Sequence, residues 1–527
     1  MRKTELKTNF FFFLQAFLIF TAFSFTALAA GQLDTTFNGT GKIQVSVGAF
    51  TQVTDVAVQA DGKIVAVGVA VFPVTFGDFL VLRYNPDGTP DTTFGGGDGV
   101  VTTSFDNFSD VAQSVAIQPD GKIVVAGTVE TKLAYQMGVA RYNSDGSPDT
   151  SFGGGGLVTT LINTECYLND MALQYDGKIV VAGTTFTTTP VVAVVRYTEN
   201  GALDTGFYDN GVVTTTFQQG TDDRANAVAV QNDGKIVIGG YSSVWHPLHK
   251  AEAGVESSFA LARYERDGKR DESFGNNGIV LTSVGGYEDL IFDIALREDG
   301  KIVATGQSSG TNGGNCVTCI GIVQYDQTGN LDPAFDLDGR VITNSAFIGR
   351  KIRVQPDGKL VMVSTNSNNL AAVRTRANGI LDDLFGLSGL VTVDFGGSDV
   401  GNAIALQPDG KVIVAGSLTF GTSPPFTRAI GIARLTGDSA IPAAAGISGQ
   451  VVDNESFPIA ASRVTVRNLQ TGEIRTVTAN PFGFFGFEAL PTGSVYEITA
   501  QKKGRRFPDK QTLRLLGNVR GLAIAGQ

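Results

Sequence analysis

Two short stretches hold the residue types best suited to chemistry. Trp245-His246-Pro247-Leu248-His249 contains the single Trp and both His of the chain, and Cys316-Val317-Thr318-Cys319 contains two of its three Cys. A His-x-x-His pair and a Cys-x-x-Cys pair brought side by side would supply two neutral imidazoles and two thiolates, a tetrahedral Zn²⁺ set. In an oxidising compartment the same two cysteines close a local disulfide instead, and free thiols are the third state open to them. Redox catalysis by the pair is disfavoured, because its hairpin setting lacks the helix N-terminus that lowers a thiol pKa. Cys166 stands alone and reads as a small apolar core residue.

A second set of ionisable residues recurs instead of standing alone. Asp-Gly-Lys followed by Ile, Val or Leu appears seven times, at Asp61, Asp120, Asp176, Asp233, Asp299, Asp357 and Asp409, with gaps of 59, 56, 57, 66, 58 and 52 residues. In step with it run a Leu/Pro/Arg-Asp-x-x-Phe phrase (Asp34, Asp91, Asp149, Asp204, Asp271, Asp332, Asp382) and the arginines Arg83, Arg141, Arg196, Arg263, Arg374 and Arg434. Catalysis usually occupies one asymmetric place, so a charge copied in every unit is a poor catalytic candidate. These pairs are expected to be strand-to-loop or blade-to-blade salt bridges. Turns such as Asp336-Leu337-Asp338-Gly339 offer oxygens to Ca²⁺, which takes roughly six to eight, but none shows the alternating ligand pattern with a terminal Glu. The phrase from Ser144 to Phe152 looks a little like the aspartate-box turn of sialidases. Its Asp and Gly are adjacent rather than separated, and no arginine triad or tyrosine nucleophile accompanies it, so glycoside hydrolysis is not the expectation.

The elements that position these residues follow from the repeat, which has to be read as an array. In the second copy Gly99 to Thr103 opens, Val111 to Gln118 follows, Pro119-Asp120-Gly121 turns, Lys122 to Thr128 returns, and Met137 to Tyr142 is fourth. Pro sets φ at the turn, Asp tolerates the next position and Gly accepts positive φ, which is a tight hairpin signal. No copy contains a ten-residue helical period. Ile123-Val124-Val125-Ala126-Gly127 and Ile179-Val180-Val181-Ala182-Gly183 are apolar throughout, so both faces of these strands are covered, with the small residues expected to let sheets approach. Four-stranded sheets packed face to face around an axis meet that demand. The expected fold is all-β, a seven-bladed β-propeller of four-stranded antiparallel blades. If each opening strand completes the preceding blade, residues near Lys42 to Val47 close the ring beside strands from about residue 400 to 436, which removes exposed edges.

On these motifs residues 33–437 resemble the delta-60 repeat family, with its Asp-Gly-Lys hairpin, Ala-Arg-Tyr strand and Leu-Asp-x-x-Phe phrase. Thr375 and Leu435 stand where that pattern has Tyr, and Gln324 where it has Arg. The resemblance implies a β-propeller in secreted or surface bacterial proteins and no established activity.

The flanks carry their own signals. Arg2, Lys3 and Lys7 precede an apolar run from Phe10 to Leu28, and Ala27-Leu28-Ala29 fits a signal-peptidase site, so residues 1–29 are expected to be a signal peptide and the protein to be secreted or at the cell surface. An uncleaved anchor is the competing reading; no later run approaches ~18 consecutive apolar residues, so no membrane span is expected after cleavage. Residues 446–527 carry ten Lys/Arg against six Asp/Glu and the leader is +2, so the total of −11 leaves −17 on residues 30–445. That acidic ring argues against nucleic acid, which needs a positive field. After 30–437 comes a linker, 438–445. Residues 446–527 are then similar to a carboxypeptidase regulatory-like domain, a prealbumin-like β-sandwich, by the Gly-x-Val start, Thr471-Gly472-Glu473, Gly483-Phe484-Phe485-Gly486-Phe487 and Leu490-Pro491-Thr492-Gly493. No zinc-peptidase domain accompanies it. Its basic residues Lys502, Lys503, Arg505 and Arg506 read as a solvated loop, with a dock onto an acidic partner as the alternative.

The functional expectation is a non-catalytic binding scaffold without a required cofactor. One propeller face, with the 241–258 and 308–319 loops, would meet a carbohydrate or protein partner, and Trp245, His246 and His249 are the candidate contacts. An extracellular hydrolase or lyase at the central channel is the rival, and it would gather carboxylates, His or Tyr from unlike blades. A structural surface-layer protein is the third reading.

Overall fold

The structure is a computed structural model that describes residues 30–527 except 73–75, 107, 219–220, 246–254, 310–317, 344–347, 422–426, 439–443, 454–457, 470, 492–493, 506, 508–509, 516–518 and 527. The expected signal peptide lies outside the described residues.

Strand β1 (Lys42–Val45) comes first and waits for the end of the ring. The first blade is β2 (Phe50–Val58), β3 (Ile64–Val71), β4 (Gly77–Tyr84) and β5 (Val100–Thr103). The second is β6 (Asp110–Ile117), β7 (Ile123–Glu130), β8 (Tyr135–Tyr142) and β9 (Leu157–Thr160); the third is β10 (Cys166–Leu173), β11 (Ile179–Phe186), β12 (Pro190–Tyr197) and β13 (Val212–Thr215). The fourth is β14 (Asp222–Val230), β15 (Ile236–Trp245), β16 (Val255–Tyr264) and β17 (Ile279–Thr282); the fifth is β18 (Glu288–Leu296), β19 (Ile302–Ser309), β20 (Cys319–Tyr325) and β21 (Arg340–Ile342). The sixth is β22 (Lys351–Val354), β23 (Leu360–Asn366), β24 (Asn369–Thr375) and β25 (Leu390–Val393). The seventh has β26 (Ser398–Leu406), β27 (Val412–Phe420) and β28 (Thr427–Leu435), and β1 completes it, pairing Lys42 with Ala433 and Val45 with Ile430.

Each short strand that opens a sequence unit is therefore the outer strand of the blade before it, and the clasp expected around Lys42 to Val47 is formed by Lys42–Val45. Leu33 bridges Leu435, and Arg434 N donates to the Gly41 carbonyl at 3.0 Å. The apolar cores lie between blades: Val53, Ala66 and Leu82 of the first pack with Ala403, Ile413 and Ile432 of the seventh, which closes the wheel. Each such Val, Leu or Ile side chain, fully buried, is worth about 1.5–3 kcal/mol.

The hairpin turns behave as their residues require. Gly121 N donates to Gln118 O at 2.9 Å, the Asp120 carboxylate accepts from Lys122 N at 3.1 Å, and Gly121 has φ of 86°. Some glycines of the middle strands allow the expected close approach of neighbouring sheets, a Cβ on Gly127 lying 2.9 Å from Phe79 of the first blade and one on Gly239 2.5 Å from Ile294 of the fifth, and some also serve a purpose within their own blade. Gly183 sits opposite a bulge between Leu168 and Asp170, where a Cβ would lie 1.9 Å from the Tyr167 carbonyl oxygen of its own blade. The bulge turns the inner strand so that its later side chains meet the next blade.

After the ring, Asp438 is still held by Arg374 and Lys359, and β29 (Ala444–Asp453) begins within the expected linker, which shortens the unassigned stretch to 439–443. The C-terminal unit has two sheets. One is β32 (Phe484–Pro491), β29 and β35 (Val519–Gly526), and the other is β31 (Ile474–Thr478), β30 (Arg463–Asn468), β33 (Val495–Gln501) and β34 (Gln511–Arg514). Alternating residues such as Val464, Val466, Phe485 and Phe487 face the core between them. Among the described residues no helix is long and apolar enough to cross a membrane, which says nothing of a β-barrel.

Candidate binding face and charged channel

The face carrying the Asp-Gly-Lys hairpins is built from one repeated latch. In the first blade Arg83 Nε meets Asp91 Oδ2 at 2.6 Å, its guanidinium lies 4.4 Å from the Phe94 ring centroid, and its Nη1 donates to the Ser144 carbonyl of the next blade. Lys63 adds a second cation to Asp91 at 2.9 Å. Arg141, Arg196, Arg263 and Arg434 repeat the arrangement onto Asp149, Asp204, Asp271 and Asp34, each reaching a turn carbonyl one blade on. The recurring charges are thus structural, as their repetition implies.

Two blades solve the latch differently. In the fifth, Gln324 replaces the arginine and donates to Asp332 at 2.6 Å. Two residues before the hairpin aspartate, where the other blades have Gln59, Gln118, Gln174, Gln231, Gln355 and Gln407, the fifth has Arg297. Arg297 donates to Gln324 Oε1 at 2.7 Å and to the Ala377 carbonyl of the sixth blade at 3.1 Å. Arginine and glutamine have exchanged places and the inter-blade bond persists. In the sixth, Arg374 Nη2 meets Asp382 at 2.8 Å and Asp438 at 2.9 Å, so the last residues of the ring stand in for the turn that the seventh blade lacks.

These latches set the acid limit of the fold. Burial alone would raise the Asp34 carboxyl, but the Thr36 hydroxyl, Lys411 and Arg434 hold it at about 2. Asp91, Asp149 and Asp271 are likewise held far below the ordinary carboxylate range, their burial outweighed by Thr or Ser hydroxyls and the Lys and Arg partners. A depressed folded pKa gives stability that is complete above the unfolded value near 4 and is lost as pH falls through the folded value. The far-ultraviolet circular dichroism signal should therefore stay native down to about pH 4 and collapse cooperatively toward pH 2; an equal urea midpoint at pH 7 and pH 2 would show that the latches contribute nothing.

The central channel is where the repeats disagree. Six residues before each hairpin aspartate stand Asp55, Ser114, Asp170, Ala227, Asp293, Lys351 and Ala403, and two residues further on every blade has Ala except the sixth, which has Arg353. Each aspartate pins the following blade: Asp55 accepts from Val115 N at 3.0 Å, Asp170 from Val228 N at 2.9 Å, and Asp293 from Ile352 N at 2.8 Å. Lys351 Nζ reaches Asp170 of the third blade at 3.7 Å and Asp293 of the fifth at 3.9 Å, and Arg353 donates to Asp293 at 3.0 Å. Ser114 donates to Asp170 at 2.9 Å.

Carboxylates from unlike blades do converge here, but their chemistry is spent internally. The three aspartates outweigh the burial of Lys351 and push its pKa up, so it stays an ammonium ion and takes no proton from Ser114. Burial raises the Asp55 and Asp293 carboxyls, and Asp55 Oδ1 has no partner among the described residues. Three acids face two cations here, and among the described residues Asp55 is the acid with no cation in ion-pair contact. The cluster locks blades one, two, three, five and six across the axis.

The opposite face, formed by the connections from second to third strand, is aromatic and varied. Phe76, 60% exposed, stacks on Phe108 of the next blade at 6.1 Å, and Leu133 is 91% exposed. Tyr135 of the second blade lies 4.9 Å from Tyr167 of the third at 30°, and Tyr167 meets Phe186 edge-on at 5.7 Å. Arg428 lies over Phe50 at 4.7 Å. In the fourth blade Arg224 pairs with Asp222 at 3.1 Å beside Tyr241.

The residues singled out in the sequence fall at this face only in part. Tyr241 to Trp245 and Val255 to Ser258, both ends of the expected 241–258 loop, belong to β15 and β16; residues 246–254, with His246 and His249, and Cys316 lie outside the described residues. The β15–β16 and β19–β20 connections are equivalent and leave the same face, and Ser257 pairs with Glu288 to join the two blades there. Cys319, buried at the start of β20, is disulfide-bonded, so its sulfur is no thiolate for the expected Zn²⁺ group. Among the described residues no three His, Cys, Asp or Glu are grouped to hold a metal ion. Asp338 of the turn weighed for Ca²⁺ caps Arg340 N at 2.9 Å. Cys166 is a buried free thiol, its pKa raised by burial.

Known proteins were compared with the chain. The model described as a domain of unknown function (DUF5122) beta-propeller matches residues 59–94, 118–152, 174–207, 231–274, 297–335 and 407–441, skipping the sixth blade, where Thr375 replaces Tyr. The carboxypeptidase regulatory-like domain matches residues 446–519. No curated protein matches. Similar solved structures include polysaccharide lyase Uly1 (11% identity, TM-score 0.41, covering 73% of this chain and 89% of that one). Sqt1 from Chaetomium thermophilum is similar at 12% identity and a TM-score of 0.37, over 85% and 100% of the two chains. The β-propeller domain of the Trilobed protease from Pyrococcus furiosus is similar at 10% identity and a TM-score of 0.37, over 72% and 97%. With the sheets and latches described above, the chain is a protein of DUF5122 beta-propeller repeats followed by a carboxypeptidase regulatory-like domain.

Proposed function

We propose that this protein is a secreted or cell-surface binding scaffold, and that the face of the second-to-third strand connections meets a carbohydrate or protein partner. One observation carries the reading: on that face aromatic side chains of neighbouring, unlike blades meet each other, Phe76 with Phe108 and Tyr135 with Tyr167, whereas the opposite face, which also exposes Leu337, Leu384 and Leu387, repeats the same charged latch in most blades. Exposed apolar groups set among polar ones mark interaction sites. The rival reading, a hydrolase or lyase at the channel, draws on the meeting of Asp55, Asp170 and Asp293. Against it, Lys351 is held protonated and Asp170 and Asp293 are ion-paired with Lys351 and Arg353, which leaves only Asp55 Oδ1 of this cluster without a partner among the described residues.

The test uses purified residues 30–527 and cosedimentation with the envelope fraction of the source cells. Phe76→Ser with Leu133→Ser, both at exposed positions, should weaken binding at least tenfold. Tyr175→Ser, a 50% exposed residue on the hairpin face, should leave it unchanged. Equal binding by all three proteins, or turnover of a polysaccharide by the wild type, would overturn the scaffold reading.

A further inference from the structure

We infer that the outer rim of blades five and six, on the hairpin side, rests on a phospholipid surface through Leu337, Leu384 and Leu387, which turns the opposite face away from the lipid. The three leucines are 91%, 72% and 83% exposed, and Ile380 between them is 49% exposed. They follow one arc. Asp336 N donates to the Asn378 carbonyl at 3.0 Å, which joins the Leu337 turn to the turn before Ile380, and the phrase loop that follows carries the other two leucines. The ring has seven such loops, and only these two are tipped with leucine. Two residues after the phrase phenylalanine the others have Gly39, Gly96, Gly154, Asp209 and Asn276. One residue before it, where Leu384 stands, Thr36, Thr93, Ser151 and Ser273 use a hydroxyl to cap the phrase aspartate. Leu337 moreover takes a φ of 73°, a left-handed conformation that suits glycine and disfavours a bulky side chain. Neither the backbone nor the core gains from leucine at these places.

The point where the chain enters the ring indicates what covers the arc. Gly386 N donates to the Ala30 carbonyl at 3.0 Å, and a Cβ on Gly31 would lie 2.7 Å from Val391 and 2.9 Å from Phe385, so the chain joins the ring beside Leu384 and Leu387. The apolar run from Phe10 to Leu28 ends two residues earlier, and two residues of chain reach at most about 7 Å. A bilayer that receives this run, as leader or as uncleaved anchor, comes up against the leucine arc. Exposed apolar tips of this kind bind by entering the boundary between headgroups and acyl chains. Asp336 and Asp338 are exposed on either side of Leu337, and Arg376 is paired with Asp383, so the rim is acidic and suits a zwitterionic surface rather than an anionic one.

Flotation of purified residues 30–527 with vesicles of phosphatidylcholine and phosphatidylethanolamine tests the contact. Three side chains bind more weakly than a single myristoyl chain, whose constant is about 10⁴ M⁻¹, so the assay is run at millimolar lipid. The protein should float, and Leu337→Asn with Leu384→Ser and Leu387→Asn should lower its partition at least tenfold. The fourth blade carries these same residues at the corresponding places, Asn276 and Ser273, so the variant should keep the thermal midpoint of the parent. In a Trp245→Phe background, Leu387→Trp should shift its emission to the blue when vesicles are added. Phe76→Ser with Leu133→Ser, on the opposite face, should float like the parent, and added phosphatidylglycerol should not raise the partition. No flotation of the parent, equal flotation of the triple variant, unchanged emission of the tryptophan probe, or a partition that rises with phosphatidylglycerol overturns the inference. So does a dimer in sedimentation equilibrium that the triple variant dissociates while neither protein floats, which makes the arc an interface between copies. Envelope binding at low lipid reads the Phe76 face alone, so the two readings fail separately.

Discussion

Lys351→Met should cost the propeller about 3–5 kcal/mol, the range for removing one member of a buried ion pair, read as a fall in the urea midpoint at pH 7 with an unchanged slope. Met fills much of the lysine volume, so the loss is electrostatic: Asp170 keeps only its hydrogen bonds to Ser114 and Val228, and Asp293 keeps the bond from Ile352 N and Arg353 as its one cation. Adding Asp170→Asn should recover a large part, because the amide oxygen still accepts from Val228 N while the uncompensated charge is gone. The pH dependence has a definite sign. Burial already raises the Asp293 carboxyl and Lys351 holds it down, so without the lysine it rises further, and the defect is complete above that raised pKa and shrinks as pH falls through it. A Lys351→Met protein as stable as the parent at pH 7, or one whose defect grows on acidification, would show that the channel cluster is not a lock.

That cluster also shows where the sequence could be read and where it could not. The hairpins, the seven units and the closing strand follow from residues that repeat, because a repeated turn has one local solution. Lys351 and Arg353 were not singled out because they do not repeat. They become visible when the seven inner strands are aligned on the hairpin aspartate, where Arg353 interrupts a column of Ala57, Ala116, Ala172, Ala229, Ala295 and Ala405. Even then their meeting with Asp170 is not local information. The bulge in the inner strands shifts the alternation by one residue, and a lysine of the sixth blade reaches an aspartate of the third only once the ring has closed.

The proposed binding face was legible as a place more than as a set of residues. Symmetry-breaking insertions pointed to the second-to-third strand connections, since loops on a rigid scaffold carry function. The attention given to Trp245, His246 and His249 came from residue rarity. Tyr135, Tyr167 and Phe186 are ordinary strand residues by propensity, and nothing in their spacing announces that two blades bring them into contact. The glycines were read in part: an apolar run ending in Gly suggests tight sheet packing, which Gly127 meets against Phe79 of the first blade, whereas Gly183 answers to a bulge in its own hairpin partner.

The fifth blade supplies a second expected result, and one that isolates the latch from its location. Arg297→Gln should remove the bonds to Gln324, Ala377 and Gly358 and leave Asp332 facing Lys301 and a neutral amide, at a cost of about 1.5–3 kcal/mol for each charge-assisted bond that water does not replace. Gln324→Arg alone should also destabilise, because it sets a second guanidinium against Arg297 where one turn carbonyl is available. The double exchange, Arg297→Gln with Gln324→Arg, recreates the arrangement of the neighbouring blades, in which the strand arginine meets the phrase aspartate and the glutamine stands beside it, as Arg263 and Gln231 do at 3.5 Å. Its urea midpoint should return to that of the parent, a coupling far larger than the ~0.5 kcal/mol scatter of independent sites. If the two costs simply add, then Arg297 and Gln324 are unrelated substitutions, and the inter-blade guanidinium is tied to its original strand position rather than to the turn carbonyl it reaches.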